Sequence, residues 1–150
     1  MNQPSSSNLQ GLITPEELRK ITEDKEMAEL RQALEHQKKL ESQQKDLYEA
    51  FMNQHVRPDA KERVTAAVRQ AAERGDKEIQ IVRFSSEFCT DRGRAINNFD
   101  PDWPETLTGF AREAYEAYDR NLRPLGYKLR AQVLTYPDGM PGDVGMILHW

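Results

Sequence analysis

One cysteine, Cys89, stands among 150 residues. A single thiol can neither close an intramolecular disulfide nor supply a multi-cysteine zinc site, so a disulfide scaffold and structural zinc are excluded. Histidine is also scarce. His36, His55 and His149 are too dispersed in the sequence to indicate a metal site, and no metal is expected. Nucleotide and zinc-protease signatures are missing as well: there is no G-x-G-x-x-G, no G-x-x-x-x-G-K followed by Ser or Thr, and no H-E-x-x-H, so no cofactor is expected. No apolar run approaches the roughly 20 residues that span a bilayer. The opening MNQPSSSNLQG has neither a basic region nor an apolar stretch of a secretory signal, so no membrane association and a cytoplasmic location are expected. An excess of one charge is lacking too. With 21 basic against 25 acidic side chains the net charge is −4, which indicates neither a globally basic nucleic-acid binder nor a polyacid.

Apolar residues are few, at 37% with eight glycines in addition, below the roughly 45–50% usual for a globular domain. They are also unevenly placed. Residues 1–13 are rich in Ser, Asn and Gln and are expected to be a disordered tail, with Leu9, Leu12 and Ile13 as a weak docking cluster. Thr14, Pro15, Glu16 and Glu17 then supply an N-cap, a proline at the first helical position and acids in the first turn. From Glu16 to His55 no Gly or Pro interrupts a composition dominated by Glu, Gln, Lys, Leu and Ala, and the pattern predicts one long helix within 14–56.

Along this helix Leu30, Ala33, Gln37, Leu40, Gln44, Leu47 and Phe51 alternate steps of three and four, an a/d seam of about three heptads. Glutamine at two a positions weakens packing but restricts register, so the expected device is a homodimeric coiled coil. Leu18, Ile21, Met27 and Leu34 lie off the seam. A helix folded back on its own domain, or bound to a partner, are the competing readings.

Val56, Arg57 and Pro58 break the rod, and residues 57–150 read as a separate α+β domain. Asp59 opens a helix to about Arg74 with a small-residue stripe of Val64, Ala67, Val68 and Ala71, stopped by Gly75. Lys77–Phe84 reads as a strand in which Ile79 and Ile81 take one side of the alternation and Val82 and Phe84 the other. Ser85 or Ser86 is expected to cap a short helix to about Asn97, with Phe88, Cys89 and Ile96 inward. Asp102 to Glu105 resembles a capping box ahead of a helix whose apolar face runs Leu107, Phe110, Ala111, Ala114, Tyr115, Tyr118 and Leu122. Tyr127–Tyr136 alternates as a half-buried strand, and Val144–Trp150 reads as another. The fold class is therefore α+β: a long N-terminal coiled-coil-like helix followed by a small two-layer α/β sandwich with a three-stranded sheet.

The segment SSEFCTDRGRAINN is the densest polar patch beside a strand end. A helix N-terminus there, with Ser86, Arg92 and Arg94, could hold an anion, and Cys89 near that N-terminus could become a reactive thiol. Cys89 as a small buried hydrophobe is the favoured alternative, with the arginines paired to Asp91, Glu87, Asp100 or Asp102. Arg83, Lys128, Arg130 and His149 are expected on one side of the sheet, where with Tyr136 or Trp150 they could contact single-stranded nucleic acid. Nucleic acid is nevertheless not favoured, since residues 57–150 hold 14 basic against 15 acidic side chains. The turn-rich PDGMPGD presents Met140 between two prolines. Trp150 lies at a strand end that could pair with another chain if that strand is an edge. No catalytic constellation emerges. The expected function is that of a non-enzymatic protein–protein interaction or adaptor module that dimerises through its helix and binds another protein. A small enzyme or anion-binding domain centred on Cys89, Arg92 and Arg94, or a weak single-stranded nucleic-acid binder, is the alternative.

Overall fold

The computed structural model describes residues 11–150. The expected tail lies for residues 1–10, Leu9 included, outside the described residues. Helix α1 spans Pro15–Asn53 and opens with a reciprocal capping box. The Glu17 amide donates to Thr14 Oγ1 at 3.2 Å and the Thr14 amide donates to Glu17 Oε2 at 3.1 Å, satisfying two backbone donors that a helix start leaves open. Every residue of α1 from Pro15 to Ala50 is exposed. No described helix is long and apolar enough to cross a membrane.

The chain falls into two units that meet between Asp46 and Leu47. The second unit thus begins inside α1, ahead of the Val56–Pro58 break, because Phe51 is part of its core. Phe51 stacks on Phe88 at 4.7 Å and on Phe84 at 5.7 Å between ring centroids, with Tyr48 edge-on to Phe88 at 5.8 Å. The last position of the proposed seam is therefore not a solvent-facing one: Phe51 is buried at 7% exposure, and the surface seam ends at Leu47.

After α1 the order is α2 (Ala60–Glu73), β1 (Glu78–Ser85), a one-turn α3 (Arg94–Asn97), α4 (Gly109–Asn121), β2 (Lys128–Val133) and β3 (Asp143–His149). The three strands form one antiparallel sheet in the order β1-β3-β2. The last strand is thus central, which explains its run of five buried residues, Val144 to Leu148. An edge pairing through β3 with another chain is closed by its two neighbours in the sheet.

Register assigns the faces. Val82, Met146 and Ala131 share one row, and Phe84, Val144 and Val133 the next. These rows make the core with Ala111 and Ala114 of α4, Ile96, Leu107 and Phe51. Strand β1 contains a bulge at Ile81: Gln80 pairs with Ile147 and Val82 with Met146, leaving Ile81 without a partner. The extra residue reverses the alternation, which is why the apolar phase changes from Ile79 and Ile81 to Val82 and Phe84.

Two helix boundaries differ from the sequence reading. Ser85–Asn97 is not one helix: Ser85 accepts from the Glu87 amide and starts a three-residue 3-10 turn, Ser86–Phe88, after which Cys89 is extended. Likewise Trp103–Thr106 is a separate 3-10 turn without a side-chain cap from Asp102. Leu107 is extended, fully buried at 1% exposure, and α4 starts two residues later behind Thr108.

Candidate functional site

The polar segment after β1 and the turn-rich loop before β3 converge at one end of the sheet. Ser86 makes the junction. Its amide donates to the Gly142 carbonyl and its hydroxyl to the Pro141 carbonyl, both at 2.8 Å. A second clamp lies farther along each loop, where the Tyr136 hydroxyl donates to Asn97 Oδ1 at 2.8 Å. The intervening backbone is organised by Asp91, whose carboxylate accepts from the amides of Gly93 at 3.0 Å and Ala95 at 2.8 Å. Such local side-chain bonds replace those a helix would have supplied.

Among the described residues, three that are not glycine have left-handed backbones, Arg92, Phe99 and Asp138, and all three lie in these two loops. Each such residue costs of order 1–3 kcal/mol and persists only where its surroundings over-determine it. The tight loops place large apolar side chains in solvent. Phe99 is 85% exposed, Met140 67% and Tyr136 54%. Arg92 and Arg94 are exposed on the same segment and have no ion-pair partner among the described residues. The expected pairing with Asp91, Glu87, Asp100 or Asp102 does not form, since Asp91 and Asp100 spend carboxylate oxygens on backbone amides.

Not every residue singled out in the sequence belongs here. Ser86 is 2% exposed with its hydroxyl donated to Pro141, so it fastens the two loops and does not face a ligand. Trp150 lies at the opposite end of β3 from Met140, its ring edge-on to Tyr127 at 6.3 Å and its amide bonded to the Lys77 carbonyl. The structure brings Met140 together with Arg92 and Arg94 in one loop cluster and leaves Trp150 apart from it. Phe99, the most exposed of these apolar side chains, does not stand out in the sequence analysis. Its signal was present, since an aromatic set between Asn98 and Asp100-Pro101 sits in a turn that carries it outward.

Cys89 is 4% exposed, and burial pushes its thiol up to about 11. The turn before it is three residues long, so no extended helix dipole lowers it. At neutral pH only about one molecule in ten thousand would carry the thiolate. Alkylation of Cys89 by iodoacetamide is accordingly expected to be negligible in the native protein and complete in denaturant, measured by mass spectrometry. Native modification on the timescale of a free thiol would contradict the burial.

On the sheet face opposite the core, register aligns Glu78, His149 and Lys128 in one row, Gln80, Ile147 and Arg130 in the next, and Arg83, Gly145 and Gln132 in a third. Arg83, Lys128, Arg130 and His149 thus share a face. Two of them are neutralised there, Arg130 by Glu78 at 2.7 Å and Arg83 by Asp143 at 2.9 Å, which removes most of the charge a phosphate backbone would need. Among the described residues no group of three or more His, Cys, Asp or Glu is arranged to hold a metal ion. No family model, no curated protein and no solved structure matches the chain.

Proposed function

We propose that the chain is a non-enzymatic interaction module in which α1 self-associates into a homodimer and each copy presents a domain that binds another protein. The observation that carries this reading is the exposure of α1. Leu30, Leu34, Leu40 and Leu47 are 54%, 49%, 47% and 64% exposed on a helix with no buried residue before Phe51. Burying a leucine fully is worth about 1.5–3 kcal/mol, so a seam of Leu30, Ala33, Gln37, Leu40, Gln44 and Leu47 gains more by pairing with its own copy than by remaining in water. Leu34, at the e position beside it, widens the stripe.

The partner-binding element of this reading is the loop pair. Phe99, Tyr136 and Met140 are apolar or aromatic anchors of the kind that dominate interfaces, and their loops are pre-fastened by the Ser86 and Tyr136 bonds, which lowers the entropy lost on binding. Arg92 and Arg94 favour an acidic partner segment.

Sedimentation equilibrium of the full chain tests the self-association. The wild type is expected to sediment as a dimer and the Leu40→Glu, Leu47→Glu double variant as a monomer, with the thermal unfolding of the domain unchanged. A wild type that stays monomeric as its concentration is raised would remove the helix seam from the proposal.

A further inference from the structure

A second concave surface lies within the C-terminal unit, away from the loop pair, between α2 and α4 over β1. It has a volume of about 590 Å³, within the range of small-molecule sites. Its origin is the narrow side-chain stripe of α2. Only Ala71 of that helix is completely buried, near its C-terminal end, while Val64 and Val68 are half-buried. The first turns of α2 therefore stand off from α4 and leave the space between them open. The bulge at Ile81 completes the floor, because Ile81 and Val82, adjacent in sequence, both line the cleft. Phe110 and Ala117 of α4 and Val64 of α2 add to its apolar surface.

The mouth is cationic. Lys61, Arg63, Arg57 and Arg120 line it against a single carboxylate, Glu113. Of these, Arg57 is paired with Asp59 at 3.1 Å. Glu113 is already engaged, receiving the Val56 amide at 3.0 Å and facing His55 Nδ1 at 3.0 Å, and the His55 contact holds its carboxyl below the usual value. Lys61 and Arg63 have no ion-pair partner among the described residues. A hydrophobic floor beneath uncompensated cations has the complement of an apolar body with one anionic end.

We infer that this cleft binds an amphipathic anion, a hydrocarbon chain lying on Ile81, Val82, Phe110 and Ala117 with its carboxylate or phosphate held by Lys61, Arg63 and Arg120. The chain contributes burial of apolar area, and the head group contributes charge-assisted hydrogen bonds at the rim. A small ligand fits better than a partner helix because the gap is confined to the first turns of α2.

The test is an NMR titration of the full-length, nitrogen-15-labelled protein with three probes of equal chain length: decanoate, decyl phosphate and uncharged decanol. Saturable shifts of the Val64, Ile81 and Ala117 amides are expected with at least one anion. Binding is expected to be about tenfold weaker for decanol, and weaker by a similar factor for the anion in the Lys61→Glu, Arg120→Glu variant. Decanoate alone, or decyl phosphate alone, would support the site and assign its head group. An equal response to decanol would overturn the anionic specificity. The absence of saturable shifts with either anion overturns the site, and because both of these readings use the wild type they stand even if the variant misfolds. Shifts at the same amides on raising protein concentration without ligand would show the occupant to be a second copy of the chain, and would likewise overturn the proposal.

Discussion

Phe51→Ala is expected to cost about 3–5 kcal/mol, a large part of the roughly 5–15 kcal/mol that keeps a domain folded. Phe51 is the one buried residue of α1, and its ring lies against Phe84 of β1 and Phe88 of the following turn. Removing it takes away the burial and both ring pairs, and leaves a cavity. Urea denaturation followed by tyrosine and tryptophan fluorescence measures the loss. The same experiment separates two roles that the heptad pattern assigns to one residue. As a core residue, Phe51 gives a loss of stability that does not change with protein concentration; as a seam residue it would give one that does. A cost below about 1 kcal/mol, or one that varies with concentration, would move Phe51 back to the interface.

The seam shows how periodicity is legible while its destination is not. The spacing from Leu30 to Phe51 is continuous in the sequence, yet Leu47 is 64% exposed and Phe51, four residues on, is 7% exposed. A helical stripe states which residues share a face, and only tertiary packing decides what that face meets. The start of α1 was readable because its signal is local: Thr14, Pro15 and Glu17 act on each other within one turn. The start of α4 was not, because its determinants are distant. Asp102 to Glu105 has cap-like residues but forms only a 3-10 turn. The helix begins at Gly109, which has φ of +51° and whose absent side chain lets the backbone approach Met52, 57 residues earlier. A Cβ there would stand 3.0 Å from the Met52 Cα, so the contact, not the capping pattern, sets the boundary.

The bulge is the converse case. A strand whose apolar residues change phase between Ile81 and Val82 contradicts strict alternation, and one extra residue resolves the contradiction. The same residue extends the floor of the α2–α4 cleft. The cleft itself could not be foreseen, since it depends on how far α2 stands from α4. The loop pair was half visible: Arg92, Arg94 and Met140 stand out in sequence, but their convergence is produced by Ser86, which bonds to residues 55 positions away or more.

That convergence makes Gly93→Ala the most informative substitution in the domain, with an expected loss of about 2–5 kcal/mol. Gly93 has φ of +84°, in the left-handed region where an L side chain costs about 1–2 kcal/mol. Space adds a second penalty. A Cβ at position 93 would come within 2.9 Å of Ser86 Cβ and 3.8 Å of Pro141 Cβ, and overpacking of this kind costs about 1–3 kcal/mol. Ser86 cannot yield cheaply, because moving it breaks two hydrogen bonds of 2.8 Å to the Pro141 and Gly142 carbonyls. The substitution is therefore transmitted across the loop junction, and the Tyr136 ring is expected to leave Asn97, shifting the Tyr136 and Asn97 NMR resonances. Ser86→Ala removes the hydroxyl but not the backbone bond, leaves the Pro141 carbonyl short of a donor, and is expected to cost about 1–3 kcal/mol. In the double variant the losses should fall short of their sum, because both substitutions act on one junction. Additive losses would show that Gly93 serves its own turn alone, and that the two loops do not form one surface.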